Sequence, residues 1–412
     1  MDASLGVGSL AAVAAVALLA PVLVGLLPWL RVPQVVLLLA GGILIGPQSL
    51  GLGTAGDVQV LADVGLGFVF LLAGYELDPR LFGRDAAQRA VGGWFVSLAL
   101  ALAVVGGLAT AGLVDAFVPV ALGLTTTALG TLLPILRESG LLRGRLGPHL
   151  LAAGAVGELF PVLAIAVFLG TQSRFAALIS LGVVALLAAA LSLGTRLVRP
   201  TGRLATVIAL GQHETAQITL RGAILLLLTL IAVTGRFHLD AVLGAFLAGV
   251  VLRRWAGPAA PVLDSKLDAV GYGFFIPVFF VYSGMALDLH AIADAPLRLL
   301  LFFGLIVAVR GLPALVVYRG LSWRERAQAV LVSATGLPVL VALAEIGLRN
   351  GTMLRANAAA LVGAGVLTVL LLPALAVALD RPVRSAGGRS PSTRPSPADR
   401  SGPSRPPGRP PG

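Results

Sequence analysis

Of the 412 residues, 57% are hydrophobic and 12% are charged, where soluble domains carry about a quarter charged, and the mean hydropathy is +0.96. Such a chain is an integral membrane protein rather than a soluble one, and the formal net charge of +11 sits in loops and a tail rather than in a nucleic-acid-binding face. There is no cysteine, which excludes disulfides, thiolate metal sites and cysteine redox chemistry, and the four histidines are scattered, so no enzyme constellation and no bound cofactor are expected.

Apolar runs of roughly 20 residues, enough to span a hydrocarbon core of about 30 Å as helix, recur up to Leu379. Strands of alternating polarity are missing, so a β-barrel is not expected, and lipid leaves helices as the spanning element. The opening MDASLGVGSLAAVAAVALLA lacks a basic n-region and reads as a retained first span. Spans are expected at about 8–30, 34–51, 58–75, 91–114, 116–136, 149–170, 175–195, 214–235, 239–252, 270–287, 296–318, 326–348 and 353–379, thirteen in all. Residues 1–379 form one transmembrane domain. Residues 380–412, rich in Pro, Ser and Arg, form a basic cytoplasmic tail whose composition predicts disorder; its arginines either meet anionic headgroups or are simply solvated.

With the N-terminus outside, the inner loops collect sixteen Lys and Arg residues and the outer loops five, the positive-inside bias expected of a multi-pass plasma-membrane protein with a cytoplasmic C-terminus. Two arginines, Arg221 and Arg310, fall within spans. One acid, Glu158, lies in the run from Leu150 to Gly170, which holds no other charge. An acid at mid-membrane costs roughly 2.5–3.5 kcal/mol by insertion scales and marks a functional site by default.

The fifth span, VPVALGLTTTALGTLLPIL, places Pro119, Gly123, Gly130 and Pro134 around Thr125, Thr126 and Thr127. The twelfth, AVLVSATGLPVLVALAEIG, clusters Ser333, Thr335, Gly336 and Pro338 likewise. Proline removes a backbone donor and glycine weakens a helix, so both spans are expected to be interrupted. A pair of interrupted spans, one in each half of the chain, points to inverted repeats and a midplane site; packing kinks are the plain alternative. Counted from the inner edge at 1.5 Å per residue, Glu158, Arg310, Thr127 and Thr335 all fall about 12–14 Å deep.

The segments RVPQVVLLLAGGILIGPQSLGL (31–52), LADVGLGFVFLLAGYELDP (61–79), TTTALGTLLPILRESGLL (125–142), VLGAFLAGVVL (242–252) and FFIPVFFVYSGMALDL (274–289), in this order, resemble the monovalent cation:proton antiporter superfamily, which includes bacterial sodium/proton antiporters and the membrane part of potassium-efflux systems. The resemblance implies an all-α homodimer, each subunit having a scaffold and a core in which two unwound helices cross. It implies exchange of protons for Na+ or K+ by alternating access. Where the family carries two adjacent polar residues, of which the second binds the ion, this chain has Gly157 and Glu158: the first side chain is missing and the second is one methylene longer. Arg310 matches a basic residue of the later core helix.

Glu158 is thus the expected proton- and cation-binding residue, with Thr126 and Thr127 offering oxygen to a hard monovalent cation or capping a half-helix. Gly157, Ser333, Thr335 and Arg310 form the supporting site. Arg310 either pairs with Glu158 or compensates helix ends and freed carbonyls; as a permanent cation it is no proton carrier. Desolvation favours the neutral form of a carboxyl group, which lets protons compete with a cation. With one titratable carboxylate, the simplest exchange is electroneutral. The rival reading is a channel-like or regulatory protein with a fixed Glu158–Arg310 pair, or a carrier for another solute.

Glu214, Gln217 and Arg221 share one face of span eight, as an ion-pair network or a funnel wall. Asp63 either draws cations to an outer vestibule or starts a helix, and His149 is either a pH gate or a helix-end residue. GLGTAG (51–56) satisfies G-x-G-x-x-G without the strand that motif requires. Gly42 and Gly46 allow close packing within or between subunits.

Overall fold

The computed structural model describes residues 3–26, 32–76, 83–112, 114, 116–168, 217–236, 241–256, 260–294 and 296–380, with isolated positions between 179 and 190. Among the described residues all regular structure is helical, and nine helical segments are long and apolar enough to cross a membrane. In chain order the helices are α1 (Ala3–Leu26), α2 (Gln34–Ile45), α3 (Ala55–Glu76), α4 (Arg84–Thr110), α5 (Phe117–Gly123), α6 (Leu129–Glu138) and α7 (Gly147–Phe168). They continue with α8 (Ile218–Arg236), α9 (Ala241–Ala256), α10 (Ala260–Val270), α11 (Ile276–Ala286), α12 (Leu289–Asp294), α13 (Pro296–Ile306), α14 (Pro313–Val317), α15 (Trp323–Ser333), α16 (Pro338–Arg349) and α17 (Arg355–Asp380). Every expected span except the seventh has its helix; 175–195 lies largely outside the described residues, as does the tail from Arg381.

Both interruptions are present: the fifth span is α5 and α6 separated by Leu124–Ala128, and the twelfth is α15 and α16 separated by Ala334–Leu337. Two further spans carry a π turn, Gly271–Phe275 between α10 and α11 and Val307–Gly311 between α13 and α14. Each precedes a proline, Pro277 or Pro313, whose missing N–H disturbs the regular ladder.

The structure corrects two boundaries. Residues 260–270, expected as an inner loop, are the helix α10, which carries Asp264 and Asp268. The third span, expected to end at 75, runs one residue further and ends on Glu76.

The helices pack mainly as two groups, α1–α3 with α8–α11, and α4–α7 with α13–α17. In the first group backbones touch where glycines remove side chains. A Cβ on Gly42 would strike the Val281 carbonyl and one on Gly284 the Leu39 carbonyl, so the G-x-x-x-G of α2 packs α2 on α11 within the subunit. Gly74 and Gly249 join α3 to α9 in the same way. Helix α7 is held to α4 by the edge-to-face rings of Trp94 and Phe160, with centroids 5.0 Å apart.

Candidate functional site

At the first interruption the threonine hydroxyls turn back on α5. Thr125 Oγ1 donates to the Leu122 carbonyl at 2.8 Å and Thr126 Oγ1 to the Gly123 carbonyl at 2.9 Å. Such back-bonding, together with three β-branched residues in a row, weakens a helix locally. The backbone donors released must still be satisfied out of water. Thr127 N–H bonds the Gly157 carbonyl of α7 and Ala128 N–H bonds the Thr335 carbonyl of the second interruption, each at 2.9 Å.

The two interruptions therefore cross in contact. A Cβ on Gly336 would lie 2.8 Å from Thr126 Oγ1, so a side chain there would have to displace Thr126 where the two segments pass. Thr127 Oγ1 reaches across to the Ser333 carbonyl at 2.6 Å. Gly336 N–H is satisfied by the Thr368 hydroxyl of α17 at 3.3 Å. Thr125, Thr126, Thr127, Ser333, Thr335 and Thr368 are all buried.

Glu158 and Arg310 lie beside this crossing, 5% and 4% exposed. Glu158 Oε2 accepts the N–H of Leu129, the first residue of α6, at 3.3 Å. A carboxylate at a helix N-terminus meets the positive end of the helix dipole. Arg310, carried on the π turn, donates from Nε to Thr127 Oγ1 and from Nη2 to the Ala153 carbonyl, both at 2.9 Å. Among the described residues no ion pair within 4.0 Å joins Arg310 to Glu158.

Gly157 explains the departure from the two-polar-residue pattern. A Cβ there would overlap Arg310 Nη2 and lie 2.6 Å from Thr127 Oγ1. The space of the missing side chain is filled by the guanidinium, which reaches Ala153 and Thr127 from the far side.

The other candidates lie apart from the crossing. Asp63 of α3 pairs with Arg349 of α16 and lines a cavity of about 340 Å³ together with Glu345 and Arg349. His149, at the start of α7, sits 3.9 Å from Asp85 and edge-on to Tyr318. Arg221 is exposed on α8, and Gln217 has a positive φ of 44° just before that helix. Glu214, and with it the network expected with Arg221, lies outside the described residues.

One neighbour of the crossing was missing from the sequence reading. Glu76 Oε2 is buried with no hydrogen-bond partner among the described residues, and a Cβ on Gly130 would lie 3.5 Å from it. The signal was the acid next to Tyr75 at the end of an apolar run; assigning the span one residue short turned it into a loop acid.

The profile of the family described as sodium/hydrogen exchanger, transmembrane, matches residues 14–378. The chain is 27% identical over 372 residues to the putative Na(+)/H(+) antiporter YjbQ of Bacillus subtilis, covering 83% of this chain and 58% of that one. It is 25% identical over 304 residues to the probable Na(+)/H(+) antiporter 3 of Methanocaldococcus jannaschii, covering 69% and 73%. It is 29% identical over 285 residues to the glutathione-regulated potassium-efflux system protein KefC of Cronobacter sakazakii, covering 66% and 44%. The chain thus spans less than two thirds of the length of the Bacillus and Cronobacter relatives. The structure of the sodium proton antiporter MjNhaP1 from M. jannaschii superposes with a TM-score of 0.60 at 18% identity, over 90% of this chain and 97% of that one, a shared fold. With a family profile running almost from end to end, the chain belongs to the transmembrane sodium/hydrogen exchangers, within the monovalent cation:proton antiporter superfamily.

Proposed function

We propose that this protein is a secondary antiporter exchanging protons for a monovalent cation, Na+ or K+, by alternating access. Glu158 carries a proton or the cation, never both. The observation that carries this reading is a buried carboxylate at the crossing of two interrupted helices, held by backbone N–H and without a cationic partner among the described residues, while Arg310 is engaged elsewhere. A fixed Glu158–Arg310 pair, which the channel-like alternative needs, has no support in this geometry. Arg310 takes the supporting role: it fixes Thr127 and the α7 backbone beside the site. Thr126 Oγ1 keeps lone pairs for a cation, whereas Thr127 Oγ1 already accepts from Arg310 while donating to Ser333. One exchanging carboxylate makes the cycle one proton for one cation, hence electroneutral.

In the plasma membrane the N-terminus faces outside and the C-terminus the cytoplasm, and the working unit is a homodimer. Single cysteines placed at Gly53 and Ser401 of this cysteine-free chain will label from opposite sides; same-side labelling overturns the orientation. Function is tested in proteoliposomes under imposed gradients of each alkali cation, with proton movement recorded. Wild type is expected to move protons against at least one cation, and Glu158→Gln to move none, because an amide neither titrates nor offers negative charge. Coupled exchange that survives Glu158→Gln removes Glu158 from the mechanism.

A further inference from the structure

A polar cluster away from the crossing also joins the two helix groups, at the end of the bundle assigned above to the outside. Arg349 of α16 donates from Nη2 to Asp63 of α3, and from Nε to Glu345, one turn back on its own helix, at 2.9 Å. Glu345 in turn accepts the Tyr282 hydroxyl of α11 at 3.0 Å. Asp63 and Tyr282 belong to the first group, Glu345 and Arg349 to the second, so the bonds to Asp63 and from Tyr282 both cross between groups. Beneath them the helices are packed shut: Phe70 of α3, Phe246 of α9 and Leu340 and Leu343 of α16 are at most 1% exposed. Leu340 and Leu343 stand between the second interruption and Arg349, so this packing separates the cluster from the crossing.

The bonds are of a kind that opens cheaply. Asp63 and Arg349 are both partly exposed, so each charge regains water when the pair parts. An exposed pair is weak, whereas parting a buried one strands a charge. Arg310, buried at the crossing, is of the second kind. The apolar contact around the cluster is also incomplete. The cavity of about 340 Å³ is lined by Val64 and Gly67 of α3, Leu228 of α8, Val242 of α9 and Ile346 of α16, walls that come from both groups. A gap already forfeits dispersion contacts, so little attraction is lost there when the groups move apart.

We infer that Asp63, Arg349, Glu345 and Tyr282 form an outer strap, closed in this structure, that sets how often the exchange site opens to the outside. Alternating access requires the groups to part at this end once in each cycle. The strap then lets go, its charges hydrate, and it forms again when the site turns inward. Arg349 is the hub, because it holds Asp63 and bonds the Glu345 carboxylate that Tyr282 grips. Loss of Asp63 alone leaves the Tyr282 bond in place. The inference rests on the antiporter reading above.

Two measurements on the full chain in proteoliposomes test it. A variant carrying both Asp63→Cys and Arg349→Cys is expected to exchange until a reducible bifunctional thiol reagent bridges the two positions, then to stop, and to resume on reduction. Bridging is read by mass, and the single variants, which cannot be bridged, keep exchanging. The second measurement uses Leu66→Cys, a largely buried cavity residue in a chain without other thiols, labelled from outside with a membrane-impermeant maleimide. Adding Arg349→Gln is expected to speed that labelling about threefold or more, and this arm carries the test if the double-cysteine variant does not insert. Full exchange through the bridged protein, or labelling no faster without Arg349, overturns the strap while leaving exchange by Glu158 intact. Wild type that exchanges no alkali cation for protons overturns the antiporter reading itself.

Discussion

Asp63 and Glu76 stand on one helix, about 20 Å apart along its axis at 1.5 Å per residue, and their surroundings differ in kind. Asp63 accepts from Arg349 Nη2, whose Nε bonds Glu345 at 2.9 Å, and Glu345 in turn accepts the Tyr282 hydroxyl at 3.0 Å. Every acid in that cluster has a donor, and Asp63 and Arg349 are partly exposed beside a cavity. At the other end of α3, Glu76 has a buried oxygen that no donor reaches among the described residues, and the donors to Glu158 beyond it are backbone N–H groups at the start of α6. Acids whose charge is already answered join helices. Neither Glu76 nor Glu158 has an ion-pair partner within 4.0 Å among the described residues.

The contrast is broken or sharpened by removing one charge at a time. The largest expected effect is that of Glu158→Gln, complete loss of coupled exchange, as set out above. Arg310→Ala comes next, because it strips the donors from Thr127 Oγ1 and the Ala153 carbonyl inside the crossing. An unsatisfied buried acceptor costs about 1–3 kcal/mol, so thermal unfolding in detergent is expected to show a clear loss of stability. Arg310→Lys should not restore it, since an ammonium lacks the planar fork that serves both acceptors. An unchanged melting curve for Arg310→Ala contradicts its supporting role.

Asp63→Asn is expected to do far less. A partly exposed pair of this kind is worth about 0–1 kcal/mol, so exchange rate and cation affinity should stay within about threefold of wild type. A loss comparable to that of Glu158→Gln erases the distinction between an acid answered by an arginine and one that is not. The smallest expected effect is none at all. If one proton leaves for each cation that enters, clamping the membrane potential at fixed ion gradients leaves the reversal point of exchange where it was. A second coupled proton would move one net charge, worth about 2.3 kcal/mol per 100 mV, and would displace that point.

Much of the architecture was legible in the sequence because lipid imposes simple rules. Apolar length set the spans, and Pro/Gly clusters beside threonines marked the two interruptions that separate α5 from α6 and α15 from α16. An acid alone in a 21-residue uncharged run marked Glu158. Those signals are local, and local chemistry produces them: proline lacks a donor, glycine and threonine weaken the helical ladder, and a charge in hydrocarbon is costly.

Other features depended on residues distant in the chain. Nothing near Gly157 announces that its space belongs to Arg310, 153 positions later. The two π turns, the helix made of residues 260–270 and the end of α3 at Glu76 follow from packing between spans, which hydropathy does not sense. The sequence by itself therefore determined that the protein is a many-span helical membrane protein with broken helices and one conspicuous acid. Only the tertiary structure decided which polar groups satisfy one another. In a medium without water each buried donor or acceptor must find its partner in the protein, and the crossing of α5–α6 with α15–α16 supplies those partners from both halves of the chain.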